Sequence, residues 1–428
     1  MTISISRLRS STLILAAAAL LLAGAGHADE TEYQFDGHTK GRVFGHWFPD
    51  DSIFNELTGT SALDIETDLR LNLEAKQGPW AVQGSYQLFA LHGDRIEYSR
   101  NISFTAGLTG DRLPDDRRRL LDLTSVIRDD GEFATLHRLD RLWFDYTGNS
   151  TVLRVGRQAI TWGNGFFFSP MDIVNPFDPT AIDTEYKAGD DMLYGQYLRK
   201  NGHDIQAAVV FRRDPLTGDP ESTQSTLSVK YHGIVGNGEF DALVARSYGD
   251  TMFGIGGNRD LGGAVWRGDV LVTLHDSSAT AQLVTNLNHS WTWLGKNVSG
   301  VVEYYYSGFG IGGGHYDAAG LAENAELLRR ISRGELFTLG RNYLAGGITV
   351  EMTPLWTLTP NLFANLDDKS AFFQIVTQYS LGDNATFLGA LSIPMGPQGT
   401  EYGGIESGLP DQYVSTDLAV FAQLAWYF

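Results

Sequence analysis

Residues 63–75 read Leu-Asp-Ile-Glu-Thr-Asp-Leu-Arg-Leu-Asn-Leu-Glu-Ala. Leu63, Ile65, Thr67, Leu69, Leu71, Leu73 and Ala75 alternate with Asp64, Glu66, Asp68, Arg70, Asn72 and Glu74. A period of two puts the two sets on opposite faces of a β-strand. About ten tilted residues cover the ~25 Å apolar band of an outer membrane, so this strand is long enough to cross one. Charges turned to lipid would cost up to ~2–4 kcal/mol each, which places Asp64, Glu66, Asp68, Arg70 and Glu74 on the wall of a wet lumen.

The same alternation recurs from Trp80 to Ala90, Leu283 to Trp293, Val298 to Tyr306 and Leu418 to Phe428. Tight links such as Gln77-Gly78-Pro79, Gly148-Asn149-Ser150, Gly236-Asn237-Gly238 and Gly382-Asp383-Asn384 suit reverse turns. Long polar stretches at Gly93–Thr135, Trp162–Lys187, Gly308–Gly340 and Gly396–Val414 lie between them. Short turns on one rim and long loops on the other describe an all-β transmembrane antiparallel barrel with periplasmic turns and extracellular loops. Keeping that alternation requires a Gly-rich strand near Thr251–Gly256 and a turn through Gly257–Gly263. The count then reaches about 18 strands, with 16 as the alternative. Trp80, Trp291, Trp293, Trp356 and Trp426 all fall on the short-turn rim, as an interfacial aromatic girdle should. A secreted soluble sandwich or propeller does not explain that girdle.

The chain has 428 residues, 43% of them hydrophobic, and no Cys. Thiolate metal sites, disulfides and cysteine nucleophiles are excluded. A formal net charge of −19 repels polyanions, so nucleic acid is not an expected partner. Arg7 and Arg9, the uncharged run Leu13–Ala25 and the exit Gly26-His27-Ala28 read as a secretory signal peptide over 1–28, cleaved near Ala28. The run is too short to span a bilayer as a helix. Residues 29–38 are assigned to a periplasmic N-terminal segment and 39–428 to the barrel.

The ending Leu418–Phe428, with its terminal Phe, resembles the C-terminal assembly signal of Gram-negative outer-membrane proteins. Arg154-Val155-Gly156-Arg157-Gln158, followed by Trp162-Gly163, Phe167-Phe168, Pro170, Asp172 and Asn175-Pro176, is similar to a motif of porin-like and alginate-export-like barrels of proteobacteria. The motif covers about 25 residues and fixes no substrate. The resemblance implies an outer-membrane location, contact with lipid and lipopolysaccharide, and delivery by the outer-membrane assembly machinery.

The stretch after Arg154 leaves a strand at Ile160 and enters a long loop carrying Phe166–Phe168 and the acids Asp172, Asp178, Asp183 and Glu185. In porin-like barrels such a loop folds inward and narrows the pore. Arg154, Gln158, Trp162, Asn164, Asp172, Asn175 and Asp178 are the candidate constriction residues. In the alternative reading, the loop is structural and Arg157–carboxylate pairs hold the wall. Acids facing solute would give a mild cation preference.

Gly308-Phe309-Gly310-Ile311-Gly312-Gly313 spells a dinucleotide fingerprint but follows a membrane strand, with no βαβ unit around it, and reads as an outer loop. Ala318–Arg333 has helical spacing and is expected to cap the mouth. Arg117-Arg118-Arg119 and Arg212-Arg213 read as solvated loop charge. His137, His203, His232, His275 and His289 are scattered, so neither a metal site nor a cofactor is expected. No hydrolase constellation is marked, and the chain is not read as an enzyme. The functional expectation is passive passage of a small or medium polar solute through a loop-narrowed lumen, by a monomer or homotrimer. The alternatives are an export conduit with a periplasmic partner and a non-conducting adhesin or assembly platform.

Overall fold

In the computed structural model, which describes residues 31–99, 113–276 and 278–428, eighteen antiparallel strands form one closed wall. The first nine are β1 (Glu32–Trp47), β2 (Ser61–Gln77), β3 (Trp80–Gly93), β4 (Phe133–Thr147), β5 (Thr151–Gln158), β6 (Asp190–Leu198), β7 (Asp204–Val210), β8 (Thr226–Val235) and β9 (Gly238–Ser247). The rest are β10 (Asp250–Asp260), β11 (Ala264–His275), β12 (Ser278–Trp293), β13 (Lys296–Ser307), β14 (Asn342–Thr353), β15 (Trp356–Asn365), β16 (Ser370–Gly382), β17 (Ala385–Met395) and β18 (Leu418–Tyr427). Each pairs with its neighbours in sequence, and β1 closes on β18 from His38↔Tyr427 to Trp47↔Leu418. Closure leaves no sheet edge inside the membrane, where an unpaired backbone group has no water to turn to. No helix among the described residues is long and apolar enough to cross a membrane.

The wall is polar inside and apolar outside. Along β2, Leu63 is 55% exposed while Asp68 and Arg70 are 3% and 1% exposed. In water this would be the wrong way round; with lipid outside, each face meets the medium it prefers. Trp80, Trp291, Trp293 and Trp426 are exposed at the short-turn rim, joined by Trp266, which the sequence reading passed over. Trp356 is half-buried, its indole N–H donating to Thr377 Oγ1 at 2.8 Å.

Three boundaries differ from expectation. Strand β1 begins at Glu32, inside the stretch 29–38 assigned to a periplasmic segment: Glu32↔Lys76 through His38↔Arg70 already pair with β2. The Gly-rich strand β10 runs on to Asp260, because Gly256 and Gly257 continue the ladder with Asp269 and Gly268. The expected single mouth helix is two, α1 (Ala318–Glu323) and α2 (Ala325–Ser332), broken at Asn324; they bury Leu321, Leu327 and Arg330. The signal-peptide assignment over 1–28 lies outside the described residues.

A further ribbon, Thr124–Asp130, pairs with the upper part of β4, where the short strand β5 no longer reaches.

A candidate constriction built by loop 159–189

The chain leaves β5 at Gln158 and re-enters the wall at Asp190. Between them it runs round the inside of the barrel. Trp162 donates its indole N–H to Gln206 Oε1 on β7 at 2.7 Å. Asn164 donates its backbone N–H and Nδ2–H to Asp269 on β11 at 2.6 and 2.8 Å, and reaches Asp241 on β9 at 3.1 Å.

The strongest anchor comes next. Three consecutive backbone N–H groups, of Phe166, Phe167 and Phe168, donate to the carboxylate of Glu303 on β13 at 2.6, 2.9 and 2.7 Å. Asn286 on β12 adds a fourth donor at 2.9 Å. Glu303 is fully buried, and these donors take the place of water around its charge. A Cβ at Gly165 would lie 1.7 Å from the Phe168 carbonyl oxygen, so only glycine permits a turn tight enough for the three N–H groups to converge.

The return limb crosses to the opposite wall. Gln374 on β16 donates to the Thr180 carbonyl at 3.0 Å. Lys40 on β1 lies 2.7 Å from both Asp183 and Glu185, Arg42 lies 3.1 Å from Asp183, and the Arg70 guanidinium stacks 4.0 Å above the Tyr186 ring. At the stem Lys187 closes on Asp172 at 2.6 Å and donates to the Ile160 carbonyl. Burial pushes Asp172 up to about 6 despite the lysine, and burial lowers Lys187.

Apolar packing completes the seat. Trp162 and Met171 lie on inward-facing Ala208, Leu243, Ala245, Met252 and Leu271. Phe168 packs with Tyr305, Tyr343 and Phe363, stacking on Tyr305 at 4.5 Å.

Three cavities of about 270 Å³ or more border the loop. One of about 330 Å³ lies against β1–β4, where Lys40, Arg42 and Arg138 face Glu66, Asp68, Asp140 and Asp183. The mouth cavity, about 820 Å³, has Arg117, Arg118, Arg119, Arg212 and Arg333 among its walls, with Asp178, Asp190 and Glu401. A third, about 270 Å³, shares Asp178, Phe337, Glu401 and Tyr402 with the mouth.

The residues named from sequence divide accordingly. Trp162, Asn164 and Asp172 hold the loop. Asn175 and Asp178 line the mouth cavity, Asn175 in a left-handed conformation with φ 51°. Arg154 is paired with Asp145 at 2.9 Å and stacks on Trp143, bordering none of the three cavities. Gln158 is enclosed at the loop root. Arg157 is buried between Asp116 and Asp191, as the wall-holding alternative requires.

On β2, Glu66 and Asp68 border the first cavity and Arg70 pairs with Asp140. Asp64 accepts the Arg95 backbone N–H, and Glu74 is half-buried towards the short turns. Of the loop acids expected to face solute, Asp172, Asp183 and Glu185 are paired with lysine, which leaves Asp178 without a cation among the described residues. The basis for a cation preference is correspondingly reduced.

The sequence reading missed Glu303, Asp269, Asp241 and Gln206. A signal was present: in β9–β11 the inward positions Leu243, Ala245 and Leu271 are apolar beside outward Val244 and Val270, so alternation fades where the loop seats. It also missed that His315, Asp317 and Glu406 come within 4.8 Å of one another at the mouth. His315 pairs with Glu406 at 3.2 Å, and Asp317 caps α1.

A mouth clasp carries its own pH dependence. Glu401 accepts from Leu339 N–H, Tyr343 O–H and Asn365 Nδ2–H at 2.9, 2.5 and 2.8 Å, beside Asp368, Tyr316 and Tyr402 and with no ion pair to a cation among the described residues. Burial pushes its carboxyl up to about 7 from an ordinary 4.5. Raised in the folded state, this group gives stability that is complete below the ordinary value and lost as pH rises through about 7, at no more than about 1.4 kcal/mol per pH unit. Hydrogen exchange at Leu339, corrected for intrinsic rate, should show protection falling between pH 5 and 8, and Glu401→Gln should flatten it. Equal slopes in both proteins would assign the loss elsewhere.

No protein-family description matches the sequence, and no curated protein sequence is similar to it. Solved structures do match. Pseudomonas aeruginosa OccK5 (OpdH) superposes with a TM-score of 0.53 at 8% identity, covering 93% of this chain and 98% of that one. OccK8 (OprE) of the same organism gives 0.52 at 7%, with the same coverage, and Acinetobacter baumannii OccAB3 gives 0.51 at 9%, covering 93% and 99%. The architecture is that of the outer-membrane porins: a closed barrel of 18 strands.

Proposed function

We propose that this barrel is a passive channel for a small or medium polar solute, narrowed by loop 159–189. The observation that carries the reading is the Glu303 clamp, which holds Phe166–Phe168 inside the wall while open cavities remain on both limbs of the loop. Solute would cross by exchanging part of its hydration for the polar lining. Residues 1–28 act as the export signal, the outer apolar band meets lipid, and the charged mouth loops meet lipopolysaccharide.

Planar-bilayer conductance and liposome swelling with sugars of graded size test the proposal. Wild type should conduct and admit small sugars, and deletion of residues 166–185 should raise the size limit. Silence in both assays, before and after the deletion, would favour the closed adhesin or assembly barrel.

A further inference from the structure

Five aromatic rings run in contact down one side of the lumen. Tyr402 of the β17–β18 loop, Phe372 of β16, Phe363 of β15, and Phe167 and Phe166 of the inward loop have successive centroids 5.7, 6.2, 5.0 and 5.0 Å apart. Phe337, from the long loop before β14, borders the same cavity and the mouth. Phe363 is buried and backs the others, whereas Phe166 is 54% and Phe337 38% exposed.

Outside the wall such exposure is expected, because lipid covers it. Here the rings lie inside, where their neighbour is water. Exposed apolar surface rimmed by polar groups marks a binding site. Phe363, Phe372 and Tyr402 border the 270 Å³ cavity, whose polar lining includes Asp178, Thr180, Thr338, Glu401, Ser415 and Thr416, with no lysine or arginine.

We infer that this ladder binds neutral pyranose rings and leads them from the mouth to the constriction. Ring faces meet the C–H face of a sugar, while carboxylates and hydroxyls accept from its O–H groups. An arene carboxylate would find the same faces, but its charge would lie beside Asp178 on a cavity lining that has no lysine or arginine. An inorganic cation would use the acids and leave the rings wet. Passage along the ladder rests on the channel reading, whereas binding rests on the lining alone, so the two are separable.

The test uses the full protein in detergent and in planar bilayers, with maltotriose as probe and benzoate as the charged control. Maltotriose should bind by calorimetry and block ion current in wild type, and benzoate should do neither. Phe337→Ala, in a loop, and Phe372→Ala, on the wall, should each weaken binding and block by about tenfold, the value of one stacked ring. Maltotriose without effect on a conducting wild-type channel, benzoate binding in its place, or undiminished affinity in both variants would overturn the site. Ring-dependent maltotriose binding in a barrel that carries no current would sustain the site and overturn the channel.

Discussion

Glu303→Ala should raise single-channel conductance and make the current noisier. The substitution leaves the N–H groups of Phe166, Phe167 and Phe168 and the Asn286 amide facing a void on β13. Hydrogen bonds to a charged group contribute roughly 1.5–3 kcal/mol each, so three are worth on the order of 5 kcal/mol. A change of that size suffices to invert a two-state population from nearly all clamped to nearly all released. The stem remains fastened by Lys187–Asp172 and the first limb by Asn164, so the tip moves and the wall does not. Melting should therefore change little. Glu303→Gln keeps one acceptor and turns N–H donors towards the others, and should fall between. A spin label at position 166 reports release directly. A tip that becomes mobile with conductance unchanged would show that Phe166–Phe168 does not limit the passage.

Arg157→Leu should have the converse signature: a large loss of stability with conductance per open channel nearly unchanged. The Arg157 guanidinium donates to Asp116 and Asp191 and to the carbonyls of Leu121 and Leu139, fastening the β3–β4 loop to the end of β5. Removing it leaves buried Asp191 with no cation among the described residues and Asp116 with Arg119 alone, and breaking a buried pair in this way costs about 3–5 kcal/mol. Burial raises Asp116, but Arg157 and Arg119 outweigh burial and hold it below the usual carboxylate range. With a depressed folded value, its contribution is present above the ordinary pKa and is lost in wild type only as pH falls through the lowered one. The variant should lack it at neutral pH. The temperature at which the folded band shifts on a semi-native gel should drop markedly at pH 7 and much less at pH 3. A drop of equal size at both would point to lost packing.

These two residues show what the sequence discloses and what it withholds. The membrane fold is legible because the period of two is local: Leu63 and Asp64 declare opposite media within one dipeptide. The loop is legible as a loop, and its aromatic run as something that needs packing. The clamp is not legible, since Glu303 meets Phe166 across 137 positions and nothing in either segment names the other. In β5, Arg154 and Gln158 alternate with the exposed Leu153 and Val155, and parity says no more than that. It does not tell whether an inward side chain meets water, a partner such as Asp145, or the root of a loop, and only the first lines a passage. Asp172 and Asp183 read as free acids for the same reason, because Lys187 and Lys40 are joined to them by tertiary structure.

The seam between β1 and β18 bears on how the wall is made. The Arg42–Gln423 bond joins positions 381 apart, and Gly37 and Phe428 exchange backbone bonds at 3.0 and 3.1 Å. Contacts so distant in the chain are slow to find each other. Until the final ten residues dock, two long strands stand with half their amides and carbonyls unclaimed, and any other ribbon is as good a mate as the right one. The weakest moment in this protein's life is therefore the interval before the last strand meets the first, and lesions at that seam should be read out as aggregates and proteolytic fragments sooner than as altered currents.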